Sequence, residues 1–484
     1  MNQQFGDFPD FKISAEKASL SNDQLFAWIE QIVSFGPRKP ASEGDVKTRA
    51  FIGEKFRKFG LKAAEMEPVA VETSKVYDWS LSLRDNKTGE EITIPTFYIP
   101  FSAPTRNHTD EAPIVYIGDG TDIEQFDLRG KVAVFEQKSR PQNWDMLREM
   151  FFYYDPAGTM PEGYQSMNLI ETTEREIHDK IVPRGAVGMV GLLTDLQWES
   201  NTFCPQMNHG TTKEIPGYWI SPKNSAVVRK WLDRGDVTAK MSLAAEQGQS
   251  TTYDMYASLP GQVDEYYVVM CHHDAPFANA VQDASGVSVV LALAKHFSTL
   301  RNKQPLKRGV IFLAVGGHTL GRLGEKEFVS RHRDGLLRKV ALVISVEHIA
   351  RELAPNEDLT FSCSRNPAPR MFLTSQNAKL NGIVKSCIIH NDYARSIIIP
   401  QWVVKQASGK ARGISGEFYE ADIPVVGLLS YAPYMFFMED TPATVARDQL
   451  VPTVDMMISI LRTADTLALD EFRQRFPYRP HTST

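Results

Sequence analysis

Histidine and acidic residues follow three apolar segments of this sequence, at the points where the hydrophobic runs end. The groups are His272-His273-Asp274 after EYYVVMC, Gly316-Gly317-His318 after GVIFLAV and Glu347-His348 after VALVISV, with a fourth group, Gln282-Asp283, just before ASGVSVVLALAKHFST. Neutral imidazole and carboxylate are the usual protein ligands of Zn²⁺ and similar cations outside thiolate sites. Four such groups on one edge of a fold predict a site for a divalent metal ion.

The elements that must position these groups follow an α/β pattern. Buried strands are predicted over 265–271, 309–315, 340–346 and 423–430, and helices over 284–299, about 322–333 and about 450–473. Continuous Val, Ile and Leu runs bounded by helices are typical of a parallel or mixed sheet covered on both faces. In open α/β sheets the ligand site lies outside the carboxyl ends of the strands, so we expect the polar groups to meet at one rim.

The first half of the chain predicts two further regions. A helix is expected over about 22–34 with Ser21 as its cap, and a second helix from about 43 to Gly60. Between about 95 and 250, short apolar runs are separated by proline and glycine, which predicts a compact β-rich insert. We therefore expect residues 1–94 and 251–484 to form the main α/β domain and residues 95–250 to form an inserted domain or lid.

Composition narrows the range of functions. The 484 residues are 42% hydrophobic and 23% charged, which is typical of folded globular chains with two or three units. Lys and Arg number 53 against 59 Asp and Glu, so no basic surface for nucleic acid is indicated. Four dispersed cysteines, no signal-peptide pattern and no long apolar run predict a cytoplasmic protein without a membrane partner.

The order of the motifs resembles the co-catalytic zinc aminopeptidases, which include aminopeptidase Y, the bacterial leucyl aminopeptidases and the glutamate carboxypeptidase group. FGPRKP is similar to the family's opening, and VVMCHHDAP followed by QDASGVSVVLALAKHF is similar to its metal-binding core. GDGTDIEQFDLRGKVAVFEQ, RGAVGMVGLL and IPGYWISPKNSAVVRKWL resemble the protease-associated domain inserted in many members. The resemblance implies a three-layer α/β peptidase domain with a mixed, mostly parallel sheet and a β-rich insert of the protease-associated type.

Carried over by position, the resemblance assigns one half of the metal site. His272 matches the family's first metal ligand, and Asp274 matches the carboxylate that orients it. The bridging aspartate falls on Gln282, with Asp283 one residue later, and the next acidic ligand falls on Glu347. Either Gln282 or Asp283 is therefore the expected third ligand.

The other half of the family's site has no counterpart. The family's pair of glutamates, a base followed by a ligand, falls on His318 and Thr319, and its final histidine falls on Phe436. The resemblance therefore implies at most one divalent metal ion, with zinc expected and iron or manganese as alternatives. At the base position, His318 could accept or donate a proton, or replace a ligand.

Further candidates surround these positions. His273 and His348 leave the same strand ends and are additional candidate ligands, and two histidines with Glu347 would match the ligand set of non-haem iron enzymes. Glu417 precedes strand 423–430, where family members carry pocket residues, so Glu417 and Phe436 are the expected substrate contacts. The aromatic stretch 144–164 is either a lid, the core of the insert or a contact in a homodimer.

These observations favour a metal-dependent hydrolase of an amide-type C–N bond, similar to an aminopeptidase and acting on a small molecule or short peptide. Two other hypotheses remain open at this point. Loss of the second metal's ligands is typical of a pseudoenzyme that binds a ligand or partner. The histidine-rich rim would also suit a non-hydrolytic enzyme with a single iron ion.

Overall fold

Strands and helices alternate along most of the chain. The computed structural model describes residues 8–62, 64–106, 109–169, 173–206 and 212–474. In these ranges the helices are α1 (Asn22–Val33), α2 (Glu43–Lys58), α3 (Trp144–Met150), α4 (Glu174–Ile181), α5 (Pro222–Leu232), α6 (Ala284–Leu300), α7 (Leu323–His332), α8 (Ala378–His390), α9 (Gln401–Ser408), α10 (Gly416–Glu420), α11 (Leu450–Ala464) and α12 (Leu469–Arg473).

The strands of the same ranges include both short edge strands and two very long ones. They are β1 (Glu65–Asp85), β2 (Glu91–Ile94), β3 (Thr96–Tyr98), β4 (Asp110–Tyr116), β5 (Val132–Glu136), β6 (Gln142–Asn143), β7 (Tyr153–Tyr154), β8 (Gln165–Ser166), β9 (Gly188–Leu192), β10 (Gly217–Ile220), β11 (Val237–Leu259), β12 (Val263–His272), β13 (Arg308–Val315), β14 (Val340–Glu347), β15 (Arg351–Leu353), β16 (Cys363–Pro367), β17 (Arg370–Thr374), β18 (Ser396–Pro400) and β19 (Val425–Ser430).

Capping residues set where the first helix begins and where the last long helix ends. Ser21 accepts the backbone N–H of Gln24 through its hydroxyl, and the Gln24 side chain accepts the Ser21 N–H, which closes a capping box before α1. The helix predicted over 450–473 is interrupted, because α11 ends at Ala464. Asp465, which follows, accepts the backbone N–H of Lys307 at 2.6 Å and so joins this helix end to the chain before β13.

One mixed sheet of fifteen strands organises the fold. Its order is β3-β10-β9-β5-β4-β11-β13-β12-β14-β19-β17-β18-β7, with β1 paired to β11 and β2 paired to β1. The central strands β13, β12, β14 and β19 are parallel to one another, so the carboxyl ends of β12, β13 and β14 lie at the same rim. The α/β fold class predicted from the sequence is confirmed.

Helices cover both faces of the central sheet. Tyr267, Val269 and Cys271 of β12 belong to the core cluster that contains buried residues of α1, α6, α8 and α11. The alternating residues Val268 and Met270 pack instead with residues of α7 and α10. This alternation follows from the two-residue period of a strand and produces the three layers of the domain.

The predicted insert and the main sheet are connected through β11. This strand of 23 residues pairs with β4 near its start and with β13 near its end. The predicted boundary at residue 250 therefore lies within one strand, and β4, β5, β9 and β10 extend the sheet beyond it. The division into domains and the protease-associated character of the insert stay predictions.

The aromatic stretch 144–164 packs onto the main sheet. Trp144 and Phe151 are buried in a cluster with Leu373 of β17 and Ile397 of β18. Tyr153 begins the short strand β7, which pairs with β18 at the edge of the sheet. These contacts favour core packing for this stretch over a lid. Among the described helices, none combines the length and apolar character needed to cross a bilayer.

Candidate active site

The carboxyl ends of three parallel strands deliver the polar groups to one rim. His272 is the last residue of β12, and Glu347 is the last residue of β14, with His348 directly after it. β13 ends at Val315, and the chain then turns into a short 3-10 helix at His318–Leu320. These imidazole and carboxylate side chains are all buried, and His318 is only 4% exposed.

Three of the predicted ligands form a group that could hold a metal ion. One ligand atom each from His272, Asp283 and His348 lies within 4.8 Å of the others. The Nε2 atoms of both histidines are buried, and neither has a hydrogen-bond partner among the described residues. Buried polar atoms are nearly always partnered, so two orphaned lone pairs beside a carboxylate fit a cation.

Hydrogen bonds at the opposite ring nitrogens orient the two histidines. His272 donates through Nδ1 to the carbonyl of Asp274 at 3.0 Å and lies 3.6 Å from its carboxylate. His348 donates through Nδ1 to the carbonyl of Ser430 at 3.2 Å. Burial lowers the pKa of His272 to about 4 and that of His348 well below its usual value. Both rings are therefore neutral at neutral pH, as metal ligation requires.

Asp283 joins the strand ends to the beginning of α6. Its Oδ1 accepts the backbone N–H groups of His348 and Gly286, both at 3.1 Å, and Oδ2 accepts that of His272 at 3.4 Å. Burial raises the pKa of Asp283 well above its ordinary value, which a bound cation would reverse. The side-chain oxygen Oε1 of the neighbouring Gln282 is also buried and has no hydrogen-bond partner among the described residues. Gln282 is therefore still a candidate ligand.

Arg38, in the FGPRKP motif, holds the loop between β12 and α6. Its guanidinium donates to the carbonyls of His273 at 3.1 Å and Gln282 at 2.8 Å. From the other side, Asp440 accepts the backbone N–H groups of Val281 at 2.8 Å and Gln282 at 2.9 Å. The loop that carries Gln282 and Asp283 is thus fixed from two distant parts of the chain.

Besides Gln282, two predicted ligands, His273 and Glu347, lie outside the group of three. The Nε2 of His273 donates to the carbonyl of Tyr253 at 3.0 Å, and its Nδ1 lies 3.1 Å from a carboxylate oxygen of Asp45. Glu347 accepts the backbone N–H of Ile414 at 2.9 Å, and burial raises its pKa to about 7. A ligand role for either residue stays a prediction.

His318 belongs to a second group beside the first. Its Nδ1 is hydrogen-bonded to the carboxylate of Glu325, and its Nε2 lies 2.9 Å from the amide nitrogen of Gln206. The ring stacks on that of His272, with 4.4 Å between centroids. Burial raises the pKa of Glu325 to about 8 and lowers that of His318. This pair therefore avoids carrying two separate buried charges.

Sequence reasoning missed Glu325 and Gln206. Glu325 is seven residues after His318, and the 3-10 helix at His318–Leu320 with the first turn of α7 brings it back under the ring. An acidic residue at this spacing after His318 could have indicated the contact from the sequence alone. Gln206 is 112 residues away in sequence, and nothing in its local pattern indicated the contact.

Residues 254–382 match Peptidase family M28. The match confirms the family resemblance predicted from the motifs, and a search of curated proteins gives no match. The fold is similar to the aminopeptidase from Aneurinibacillus sp. strain AM-1, with 16% identity over 92% of this chain and 94% of that one and a TM-score of 0.61. It is also similar to BSAP, a zinc aminopeptidase from Bacillus subtilis, with 16% identity over 93% and 95% of the chains and a TM-score of 0.63.

A third similar structure is the Peptidase M28 precursor from Shewanella amazonensis SB2B. It is 18% identical over 96% of this chain and all of that one, with a TM-score of 0.62. At these identities the structural likeness establishes the fold. Together with the Peptidase family M28 match, it supports a metal-dependent, peptidase-like hydrolase with a divalent metal ion.

Thr319 and Phe436, which the resemblance places at the positions of the second metal's ligands, make other contacts in this structure. Thr319 donates its backbone N–H at 2.9 Å, and also its hydroxyl, to Asp274. Phe436 is buried against Phe203, with 6.4 Å between ring centroids, and its carbonyl accepts the N–H of Cys204 at 2.9 Å. A site for a single metal ion, without the second metal of the family, stays a prediction.

Glu417 lies near enough to His318 to act on it electrostatically, and it is paired with a cation. Its carboxylate is 3.3 Å from the guanidinium of Arg322, which also donates to the carbonyl of Ala411 at 2.9 Å. The same loop donates the Ile414 N–H to Glu347. Substrate contacts by Glu417 and by Phe436 stay predictions.

Proposed function

We propose that this protein hydrolyses an amide-type C–N bond in a small molecule or short peptide, using a single metal ion. The observation that carries the proposal is the pair of buried, unpartnered Nε2 atoms of His272 and His348 beside the Asp283 carboxylate. Those three residues would hold the ion, with Gln282 as a further candidate. A bound zinc ion would act as a Lewis acid that makes water more acidic and a carbonyl carbon more electrophilic.

His318 is the proposed proton-transfer residue. Its Nδ1 is committed to Glu325, so Nε2 is the nitrogen that can take a proton from water and return it to the leaving amine. Its ring stacks on that of His272, one of the proposed ligands. Asp274 connects the two groups, because its carbonyl orients His272 and its carboxylate accepts the backbone N–H of His318 at 3.2 Å.

Burial of these side chains favours a small substrate. The acting groups of His272, Asp283 and His318 are almost inaccessible to solvent, so electrostatic interactions among them are strengthened. A small molecule or a peptide end suits such a site better than a folded protein. We further propose that Glu417 meets a substrate amine, and that Glu417→Gln raises KM more than it lowers kcat.

Metal analysis and a hydrolysis panel test the proposal. Protein purified without chelator is expected to contain one metal ion per chain and to cleave at least one aminoacyl anilide, dipeptide or N-acyl amino acid. His318→Ala should lower kcat by about 10²–10⁴-fold. His390→Ala, which changes an exposed histidine at the end of α8, is the matched control and should have no effect. Two stoichiometric zinc ions would contradict the single-metal site.

Iron chemistry is a second candidate, because two histidines and one carboxylate are the ligand set of many non-haem iron oxygenases. Anaerobic reconstitution with Fe²⁺ followed by oxygen-uptake measurements would separate it from hydrolysis. The third candidate, a non-catalytic binding protein, is favoured by Thr319 and Phe436 at ligand positions. It requires that His318→Ala and His272→Ala leave every detectable turnover unchanged.

Two broader proposals accompany this function. The four cysteines are all free thiols, which favours a reducing compartment such as the cytoplasm. A homodimer is also proposed, and sedimentation analysis of the purified chain would test it.

A further inference from the structure

We infer that Glu325 is the positioning residue of the acid–base group: its carboxylate holds the His318 ring so that Nδ1 is occupied and Nε2 faces the reacting atoms. The inference rests on the proposed function, in which His318 transfers the proton. Glu325 would touch neither substrate nor metal and would act only through His318.

Glu325 lies next to the His318 ring because the start of α7 packs closely against the turn that precedes His318. Glu325 lies in the first turn of α7, directly after Gly324. A Cβ atom at Gly324 would lie 2.3 Å from a carboxylate oxygen of Asp254 and 2.4 Å from the carbonyl oxygen of Gly316. Glycine therefore permits α7 to begin against the turn that leads to His318, and this contact sets the position of the carboxylate.

The environment of Glu325 is costly for a merely structural carboxylate. The residue is fully buried, and its second oxygen, Oε2, has no hydrogen-bond partner among the described residues. A buried acceptor without a partner destabilises the fold, so an apolar side chain would serve packing better. By contrast, Glu16, which binds His296 at 2.6 Å, also receives hydrogen bonds from Arg462.

The opposite ring nitrogen identifies the side that reacts. The amide nitrogen of Gln206 lies 2.9 Å from Nε2 of His318 and 3.4 Å from the backbone carbonyl oxygen of His318. An N–H donor at this position occupies the place where a water molecule or a substrate amine would meet Nε2. Because Glu325 occupies Nδ1, Nε2 is the ring nitrogen that can exchange a proton with water or substrate.

Substitution of Glu325 with a side chain of similar size tests the inference. Glu325→Met removes the acceptor and is expected to lower kcat by about 100-fold while KM changes less than about threefold. Glu325→Gln keeps an acceptor oxygen and is expected to recover part of that loss. The matched control is Glu16→Gln, which removes the charge from the remote pair with His296 and should leave kcat unchanged.

A second measurement does not depend on turnover. In metal-free protein with ¹⁵N-labelled histidine at pH 9, where Glu325 is ionised, NMR should find His318 protonated at Nδ1, and a mixture of tautomers in Glu325→Met. The same tautomer in both proteins would overturn the positioning role. A tautomer change in a protein that hydrolyses none of the tested amides would contradict the proposed function and leave the positioning role standing.

Discussion

Two consecutive histidines, His272 and His273, belong to regions with opposite properties. His272 faces the rim and has an Nε2 atom without a partner. His273 faces the other side, where Asp45 lies 3.1 Å from Nδ1 and also accepts the hydroxyl of Thr252 at 2.8 Å. We call His273, Asp45 and Thr252 the His273 network. At the rim, a buried ring nitrogen without a hydrogen-bond partner lowers the stability of the fold. In the His273 network, the contacts of Asp45 with His273 and Thr252 stabilise the fold.

The two regions also differ in electrostatics. Burial dominates at His272 and lowers its pKa to about 4. At His273 burial also opposes the charged form, but the Asp45 carboxylate outweighs it and raises the pKa. Asp45 correspondingly has a lowered pKa, despite its burial, because of the hydrogen bond to His273. Neutral imidazole at the rim and an ion pair behind it follow from where each carboxylate lies.

The largest expected effect is loss of the metal ion. His272→Ala or His348→Ala removes one of the two proposed imidazole ligands, so each variant should lose stoichiometric metal and fall to background activity. Elemental analysis after dialysis against metal-free buffer provides the measurement. Retention of one tightly bound ion in both variants would show that the group of three is not the metal site.

Breaking the His273 network should affect stability instead. Asp45→Asn removes the carboxylate that faces the buried His273 and is expected to cost about 3–5 kcal/mol in the free energy of unfolding. His273→Leu should cost less, because Asp45 keeps its ion pair with Arg49 at 3.3 Å. Urea denaturation of the metal-free proteins measures this cost. The variants that remain folded should still bind one metal ion, and a loss of metal from them would remove the distinction between the two regions.

Asp274 connects the regions, and its replacement should have an intermediate effect. Asp274→Asn keeps the backbone carbonyl that orients His272 but weakens the carboxylate that accepts the N–H groups of His318 and Thr319. Metal affinity is expected to fall by about 10–100-fold, as for other residues that orient ligands. Competition with a chelator measures this affinity. Unchanged affinity would show that the Asp274 carboxylate supports only the turn that carries His318.

The most gradual effects are expected in the pH dependence of the metal-free protein. Between pH 6.5 and about 4 the unfolded chain binds a proton at His272 that the folded chain does not, so acidification lowers stability by at most about 1.4 kcal/mol per pH unit. His272→Gln should remove that slope. His273 has a raised pKa, so its stabilising contribution is complete below about pH 6.5 and is lost as pH rises through the raised pKa.

His273→Gln should therefore alter the stability profile above pH 6.5, and His272→Gln should alter it below. Unfolding curves at a series of pH values would compare the two variants directly. Matching changes in the same pH window would contradict the opposite environments of the two rings.

The sequence by itself determined the fold class and most of the rim. Apolar runs that end in His272, His318 and Glu347 are local patterns, and parallel strands bring their carboxyl ends together whatever the details of packing. The sequence also predicts that the second metal's ligands are missing, because Thr319 and Phe436, at their expected positions, have no side chain that binds zinc well.

Only the tertiary structure decided which residues of that rim face one another. His348, rather than Glu347, joins His272 and Asp283 because its backbone adopts φ 61° while its N–H is held by Asp283. That conformation is sparsely populated for a residue other than glycine and depends on the surrounding contacts. Gln206 reaches His318 from a distant segment. Strand periodicity cannot specify such contacts, because they depend on how remote segments pack.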